Sequence, residues 1–64
     1  MRRTGIQLLL TVPGAAEALA ISRSKLYELI AAGTIASIRV GGSRRIPLAV
    51  LEAYIVARLN EDAA

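Results

Sequence analysis

Residues 22–47, which read SRSKLYELIAAGTIASIRVGGSRRIP, decide the fold of this 64-residue chain. The stretch begins with Ser22, a residue type that caps helices, and its first turn carries Arg23 and Lys25. Apolar residues then recur at helical spacing as far as Gly33, which favours the left-handed conformation that ends many helices. Two short β-branched runs joined by a pair of glycines follow. The pattern therefore predicts a helix beside a basic β-hairpin.

A second helix is predicted on the amino-terminal side of this stretch. Residues 8–10 form a short apolar segment that suits an extended conformation. Thr11 can cap a helix whose first turn contains Pro13, where a missing N–H does no harm. That helix runs to about Ala20, and the helix that follows runs from Ser22 to Ala32. Two helices joined by a turn of a few residues form a helix-turn-helix.

A third helix is predicted to open at Pro47, which cannot donate to a β-ladder and so ends the returning strand. Its core stripe is predicted to be Leu48, Leu51, Ile55 and Leu59. The opposite face is also apolar, and its residues are Val50, Ala53, Tyr54 and Ala57. These four either contact a neighbouring copy or partner protein, or are surface alanines with a tyrosine that covers the core.

The composition argues against catalysis. The chain has no Cys and no His, so thiolate ligands, disulfides and the commonest general base are all missing. Its five carboxylates are scattered rather than paired. We therefore predict that the protein is not an enzyme, and that it takes no metal, cofactor or small-molecule substrate.

Charge is distributed unevenly along the chain. Residues 1–45 carry seven basic and two acidic groups, a net charge of +5, whereas residues 46–64 carry one basic and three acidic groups, a net charge of −2. This segregation suggests that one side binds a polyanion. The apolar run after Arg2 and Arg3 is too short and too interrupted for a signal peptide or a membrane helix. We expect a protein with no membrane partner, located in the cytoplasm with the nucleoid.

The helix that starts at Ser22 offers a polar face suited to the major groove. At 100° per residue, its core stripe is Leu26, Leu29 and Ile30, and Ser24, Glu28 and Ala31 lie opposite. The candidate DNA-binding residues of this recognition helix are Ser22, Arg23, Ser24, Lys25, Tyr27 and Glu28. Residues at the helix start are placed for phosphates, and Lys25 can reach guanine or phosphate. The alternative is an ordinary solvated face with Tyr27 half-buried.

Glu28 has two interpretations. A carboxylate in the groove repels phosphates but can accept a hydrogen bond from the amino group of cytosine. The alternative is an intrahelical ion pair with Lys25, worth a few tenths of a kcal/mol.

The predicted hairpin supplies a second basic surface. Its candidate DNA-binding residues are Arg39, Ser43, Arg44 and Arg45. Alternation along a strand places Arg44 and Arg45 on opposite faces. Arg44 is expected at the minor groove or its flanking phosphates, while Arg45 packs along the sheet and contacts backbone. The alternative is a charged edge that prevents aggregation.

Taken in order, these motifs resemble the excisionase-type helix-turn-helix family, small relatives of the MerR-type winged-helix DNA-binding domains. The resemblance covers about residues 8–58 and rests on Leu9-Leu10-Thr11, Ala15-Ala16, Leu19, Ser22-Arg23, Leu26-Tyr27, Leu29-Ile30-x-x-Gly33, Ile38-Arg39-Val40-Gly41, Arg45-Ile46-Pro47 and Leu51-Glu52-Ala53-Tyr54. The chain departs from the family at Pro13-Gly14, where acidic residues are usual, at Ala20, where glycine is common, and at Glu28, where a basic residue is common.

The resemblance implies a mainly α fold, a small winged helix-turn-helix of three helices and a two-stranded β-hairpin wing. It would occupy residues 8–60, between a flexible arm (1–7) and a polar tail (61–64). The function implied is that of an excisionase, or recombination directionality factor. Such a protein binds and bends double-stranded attachment-site DNA and directs an integrase towards excision. Because a single domain of this size reads only a few base pairs, we also expect copies to associate cooperatively on DNA. A small transcriptional regulator is the alternative, and a protein–protein module without DNA binding is a third interpretation.

Overall fold

The structure, a computed structural model, describes residues 7–63. Its elements in chain order are β1 (Leu9–Leu10), α1 (Val12–Leu19), α2 (Arg23–Ala31), β2 (Ile38–Val40), β3 (Ser43–Pro47) and α3 (Leu48–Ala63). The predicted three helices and β-hairpin wing are confirmed. Of the predicted arm, residues 1–6 lie outside the described residues, and Gln7 is exposed.

The hairpin is extended into a three-stranded antiparallel sheet of order β1-β3-β2. In β1, Leu9 lies opposite Pro47 and Leu10 lies opposite the buried Ile46. The N–H of Leu48 donates to the carbonyl oxygen of Leu8 over 2.8 Å, which continues the pairing to the start of α3. The apolar segment before α1 thus holds the base of the wing against the rest of the domain.

α1 begins and ends through local hydrogen bonds. The Thr11 hydroxyl accepts from the N–H of Gly14 over 3.0 Å, as predicted for a capping residue. At the other end Ala20 has φ 59° and ψ 40°, and the N–H of Ile21 donates to the carbonyl of Ala16 over 3.0 Å. This left-handed closure turns the chain sharply into α2, in a conformation that costs alanine free energy and glycine almost none.

Replacing Ala20 with glycine is expected to stabilise the protein. Glycine relieves the strain of the left-handed conformation in the folded state, although it also raises the conformational entropy of the unfolded chain. We expect the first effect to be larger, for a net increase in the free energy of unfolding of about 0.5–1 kcal/mol. The melting temperature should rise by roughly 3–6 °C in a thermal melt followed by circular dichroism. Ala57→Gly, at an exposed position inside α3, is the control and should lower it by a similar amount. A drop in stability for Ala20→Gly would contradict this account of the turn.

One hydrophobic core joins the elements. Its buried residues are Val12, Ala15, Ala16, Leu26, Ile35, Ile46 and Leu51. Ala15 and Ala16 have small side chains, which lets α1 approach α2 closely. The core thus contains residues of all three helices, of β3 and of the loop after α2.

The predicted core face of α3 is correct at Leu51 and wrong at Ile55 and Leu59. Leu51 is buried, but Ile55 is 45% and Leu59 is 62% exposed. Val50 and Tyr54, predicted to lie opposite the core, instead pack against it. Both faces of α3 are apolar, so spacing alone does not choose between them. In the folded protein the face with Val50 and Tyr54 packs on the core, so Tyr54 covers the core as one interpretation of the sequence had it.

α3 continues beyond the predicted start of the polar tail. Residues 61–63 are helical, and residue 64 lies outside the described residues. Arg58 contacts Glu61 Oε1 over 2.7 Å and Asp62 Oδ1 over 3.7 Å. Ion pairs at these spacings support a helix, which explains why the polar sequence does not end it. None of the helices in residues 7–63 has the length and apolarity that crossing a membrane requires.

Candidate nucleic-acid interface

The start of α2 is fixed by Ser22, whose backbone is extended (φ −72°, ψ 158°). Its hydroxyl accepts from the N–H of Lys25 over 3.1 Å, and its carbonyl accepts from the N–H of Leu26 over 3.1 Å. Arg23 and Ser24 lie in the first turn and are exposed. The first N–H groups of a helix lack intrahelical partners and carry its positive dipole end, so this turn is suited to a phosphate.

The predicted orientation of α2 is confirmed. Leu26 is buried and Leu29 and Ile30 are partly buried, while the predicted outer residues Ser24, Glu28 and Ala31 are exposed. Tyr27 is 53% exposed, so its ring is available at the edge of this face. α2 therefore presents an exposed, largely polar face on the side away from the core.

Lys25 and Glu28 form an ion pair across one turn of α2. Lys25 Nζ lies 3.7 Å from Glu28 Oε1, so the intrahelical pair considered from the sequence is present. The two side chains are 58% and 70% exposed. An exposed ion pair of this kind contributes only about 0.3–0.5 kcal/mol to stability. The pair can therefore break at little cost, and each group can then bind a ligand instead.

The wing ends in a two-residue turn. Gly41 and Gly42 both have positive φ, 59° and 86°, and Val40 pairs with Ser43 across them. Two consecutive residues with positive φ are the requirement of a type I′ turn, whose twist matches that of antiparallel strands. The turn fixes the register of the hairpin and presents the exposed Ser43 beside its tip.

The register places two arginines on the same face of the wing. Arg39 lies directly opposite Arg44, whereas Arg45 lies opposite Ile38 on the other face. Like charges placed opposite each other repel. Here each guanidinium group donates a hydrogen bond to an oxygen of the protein. Arg39 Nη1 donates to the carbonyl of Gly42 over 3.1 Å, and Arg44 Nη1 donates to the hydroxyl of Ser37. The wing thus concentrates positive charge near its tip.

Arg45 is held differently from the other two. Its Nη1 donates to the carbonyl oxygen of Arg44 over 2.9 Å, and the residue is partly buried, as Arg44 also is. The prediction that Arg44 and Arg45 lie on opposite faces is confirmed. The pairing of Arg39 with Arg44 was missed from the sequence, although the two-glycine turn was a signal from which the register could have been derived.

A shared core connects α2 to the wing. Leu26 from α2, Ile46 from β3 and Ile35 from the intervening loop are each fully buried in it. Since packed cores resist deformation, membership of this common core restrains α2 and the wing relative to each other. In residues 7–63 there is no pocket and no group of three metal-ligating side chains.

Comparison with known proteins gives one family and two curated relatives. A family model described as a helix-turn-helix domain matches residues 9–58. A protein named "Probable excisionase" from Saccharopolyspora erythraea is 40% identical over 98% of this chain and 64% of its own length. An "Excisionase" from Streptomyces ambofaciens is 42% identical over 83% of this chain and 86% of its own length. No solved structure gives a significant match.

Proposed function

Because the chain belongs to the excisionase-type family of helix-turn-helix DNA-binding domains, we propose that it acts as an excisionase, or recombination directionality factor. In this role it binds double-stranded DNA near the attachment sites of a mobile element. It bends that DNA and directs an integrase from integration towards excision. The family is one of DNA-binding proteins rather than enzymes, so the strand exchange itself belongs to the integrase.

The observation that carries the proposal is the pair of basic surfaces on one rigid core. The first turn of α2 offers Arg23, Ser24 and free N–H groups to a phosphate at the edge of the major groove. The wing offers Arg39 and Arg44 from one face of its hairpin. An α-helix fits the major groove, and arginines favour the narrow, negative minor groove. A protein that binds in both the major and the minor groove can bend the duplex between its two contact points.

Self-association on DNA is proposed through α3, at a face other than the one predicted from the sequence. Val50 and Tyr54 pack on the core and are largely unavailable, although Ala53 and Ala57 are exposed. The exposed large apolar residues of α3 are Ile55, Val56 and Leu59. Neighbouring copies that touch through this stripe would gain affinity on adjacent sites through effective concentration.

The test is a recombination reaction with purified components. Supercoiled DNA carrying the two recombinant attachment sites of the element is incubated with its integrase, with or without this protein. Excision is expected only when the protein is present, and gel mobility of circularly permuted fragments should report a bend. The Arg39→Ala/Arg44→Ala variant is the matched control and should not support excision. If this protein binds the DNA but the amount of excision does not change when it is added, the directionality role is wrong. A role as a transcriptional regulator would then be favoured.

A further inference from the structure

The outer face of α2 presents two opposite charges side by side. Lys25 Nζ and Glu28 Oε1 are 3.7 Å apart, and both side chains are mostly exposed. Glu28 is the single acidic residue in the sequence of α2, RSKLYELIA. Phosphate binding does not account for it, because a carboxylate at the centre of a groove-facing helix repels the DNA backbone. A ligand that binds this carboxylate would have to donate a hydrogen bond to it.

We propose that Lys25 and Glu28 act together to select one C·G base pair in the major groove, an inference that rests on the DNA binding proposed above. In the major groove cytosine exposes an amino group, N4, that donates, while guanine exposes O6 and N7, which accept. The Glu28 carboxylate accepts from N4, and the Lys25 ammonium donates to O6 and N7. The ion pair thus supplies one acceptor and one donor to a base pair that needs both.

The order of groups along the base pair favours C·G over A·T. In C·G the donor lies on the cytosine side, and the two acceptors lie together on the guanine side. In A·T the amino group of adenine lies between two acceptors, N7 of adenine and O4 of thymine. A carboxylate placed at that amino group would bring its second oxygen towards one of these acceptors, and two acceptors repel. Glu28 therefore discriminates against A·T as well as in favour of C·G.

The ion pair also reduces the electrostatic repulsion and the desolvation cost of placing a carboxylate near DNA. Lys25 offsets the charge of Glu28, so the centre of α2 approaches the duplex as a neutral pair rather than as an anion. Desolvating a carboxylate beside an ammonium costs less than desolvating it alone. We therefore expect Lys25→Met to weaken binding more strongly when Glu28 is present than in the Glu28→Ala background. A double-mutant cycle measures this difference directly.

The deciding experiment is selection of binding sites from a randomised duplex library by wild type, Glu28→Ala and Glu28→Gln. Wild type is expected to prefer C·G at one position by roughly tenfold. Glu28→Ala should lose the preference at that position alone. Glu28→Gln should shift it to A·T, because an amide pairs with both N6 and N7 of adenine. Glu52→Gln, an exposed glutamate on α3, removes the same charge and should select the wild-type site.

Two outcomes overturn the inference in distinguishable ways. If wild type and both Glu28 variants select the same site, DNA binding stands but Glu28 does not read a base. If wild type binds no duplex at low salt, the proposed function fails and this inference fails with it.

Discussion

Leu26→Ala is expected to remove a large part of the stability of the domain. Leu26 has 0% of its surface exposed, and it lies in α2 against the core shared with β3. Truncating a buried leucine costs about 2–5 kcal/mol, through lost burial and the cavity left behind. A domain of this length is expected to have only about 3–10 kcal/mol of stability in total. A substantial fraction of the variant should therefore be unfolded at 37 °C, as measured by urea denaturation followed by circular dichroism.

Leu59→Ala is the matched control for this prediction. The chemical change is the same, but Leu59 lies on α3 and is 62% exposed. Since most of its surface already contacts water in the folded state, its loss should change the free energy of unfolding by less than about 1 kcal/mol. Equal destabilisation by the two substitutions would contradict the assignment of the core, and in particular the correction to the buried face of α3.

The largest effect on DNA binding is expected from the double substitution Arg39→Ala/Arg44→Ala. Both guanidinium groups lie on one face of the wing. Each is expected to make a charge-assisted hydrogen bond to the DNA, worth about 1.5–3 kcal/mol. Affinity should fall on the order of 100-fold or more, equally for all duplex sequences, in fluorescence anisotropy titrations. The melting temperature should hardly change, because removal of the repulsive cross-strand pair offsets the loss of the hydrogen bonds to Gly42 and Ser37.

Arg58→Ala is the control for the wing. Arg58 is an arginine on α3 that pairs with Glu61 and Asp62, outside both basic surfaces. Its removal lowers the net charge and should reduce affinity by no more than about threefold at physiological salt, because exposed charges away from the DNA are screened. A loss for Arg58→Ala as large as for the wing variant would mean that net charge, rather than the geometry of the wing, determines binding.

The features predicted correctly from the sequence are those that local signals determine. Ser22 and Gly33 mark the two ends of the recognition helix, because an N-cap hydroxyl and a left-handed glycine act within a turn of the chain. The exposed face of α2 follows from the spacing of Leu26, Leu29 and Ile30. These interactions involve residues a few positions apart, so the sequence contains the information directly.

The features that sequence reasoning missed depend on contacts between distant parts of the chain. β1 has two residues, too few for periodicity to reveal that it pairs with β3. The buried face of α3 could not be chosen, because both faces carry large side chains that can cover a core, Val50 and Tyr54 on one and Ile55 and Leu59 on the other. Similarly, the position of Arg39 opposite Arg44 depends on the register set by the turn. The opposite faces of Arg44 and Arg45 were therefore predicted, but the pairing of Arg39 with Arg44 was not.

The most direct test of the central claim, that the basic surfaces of α2 and the wing bind duplex DNA, is the salt dependence of binding. If roughly five basic residues engage phosphates, the logarithm of the association constant should fall against the logarithm of the salt concentration with a slope of about −4 to −5. The Arg39→Ala/Arg44→Ala variant should show a slope shallower by about two. A wild-type slope indistinguishable from zero, or no binding to duplex DNA at low salt, would contradict the account.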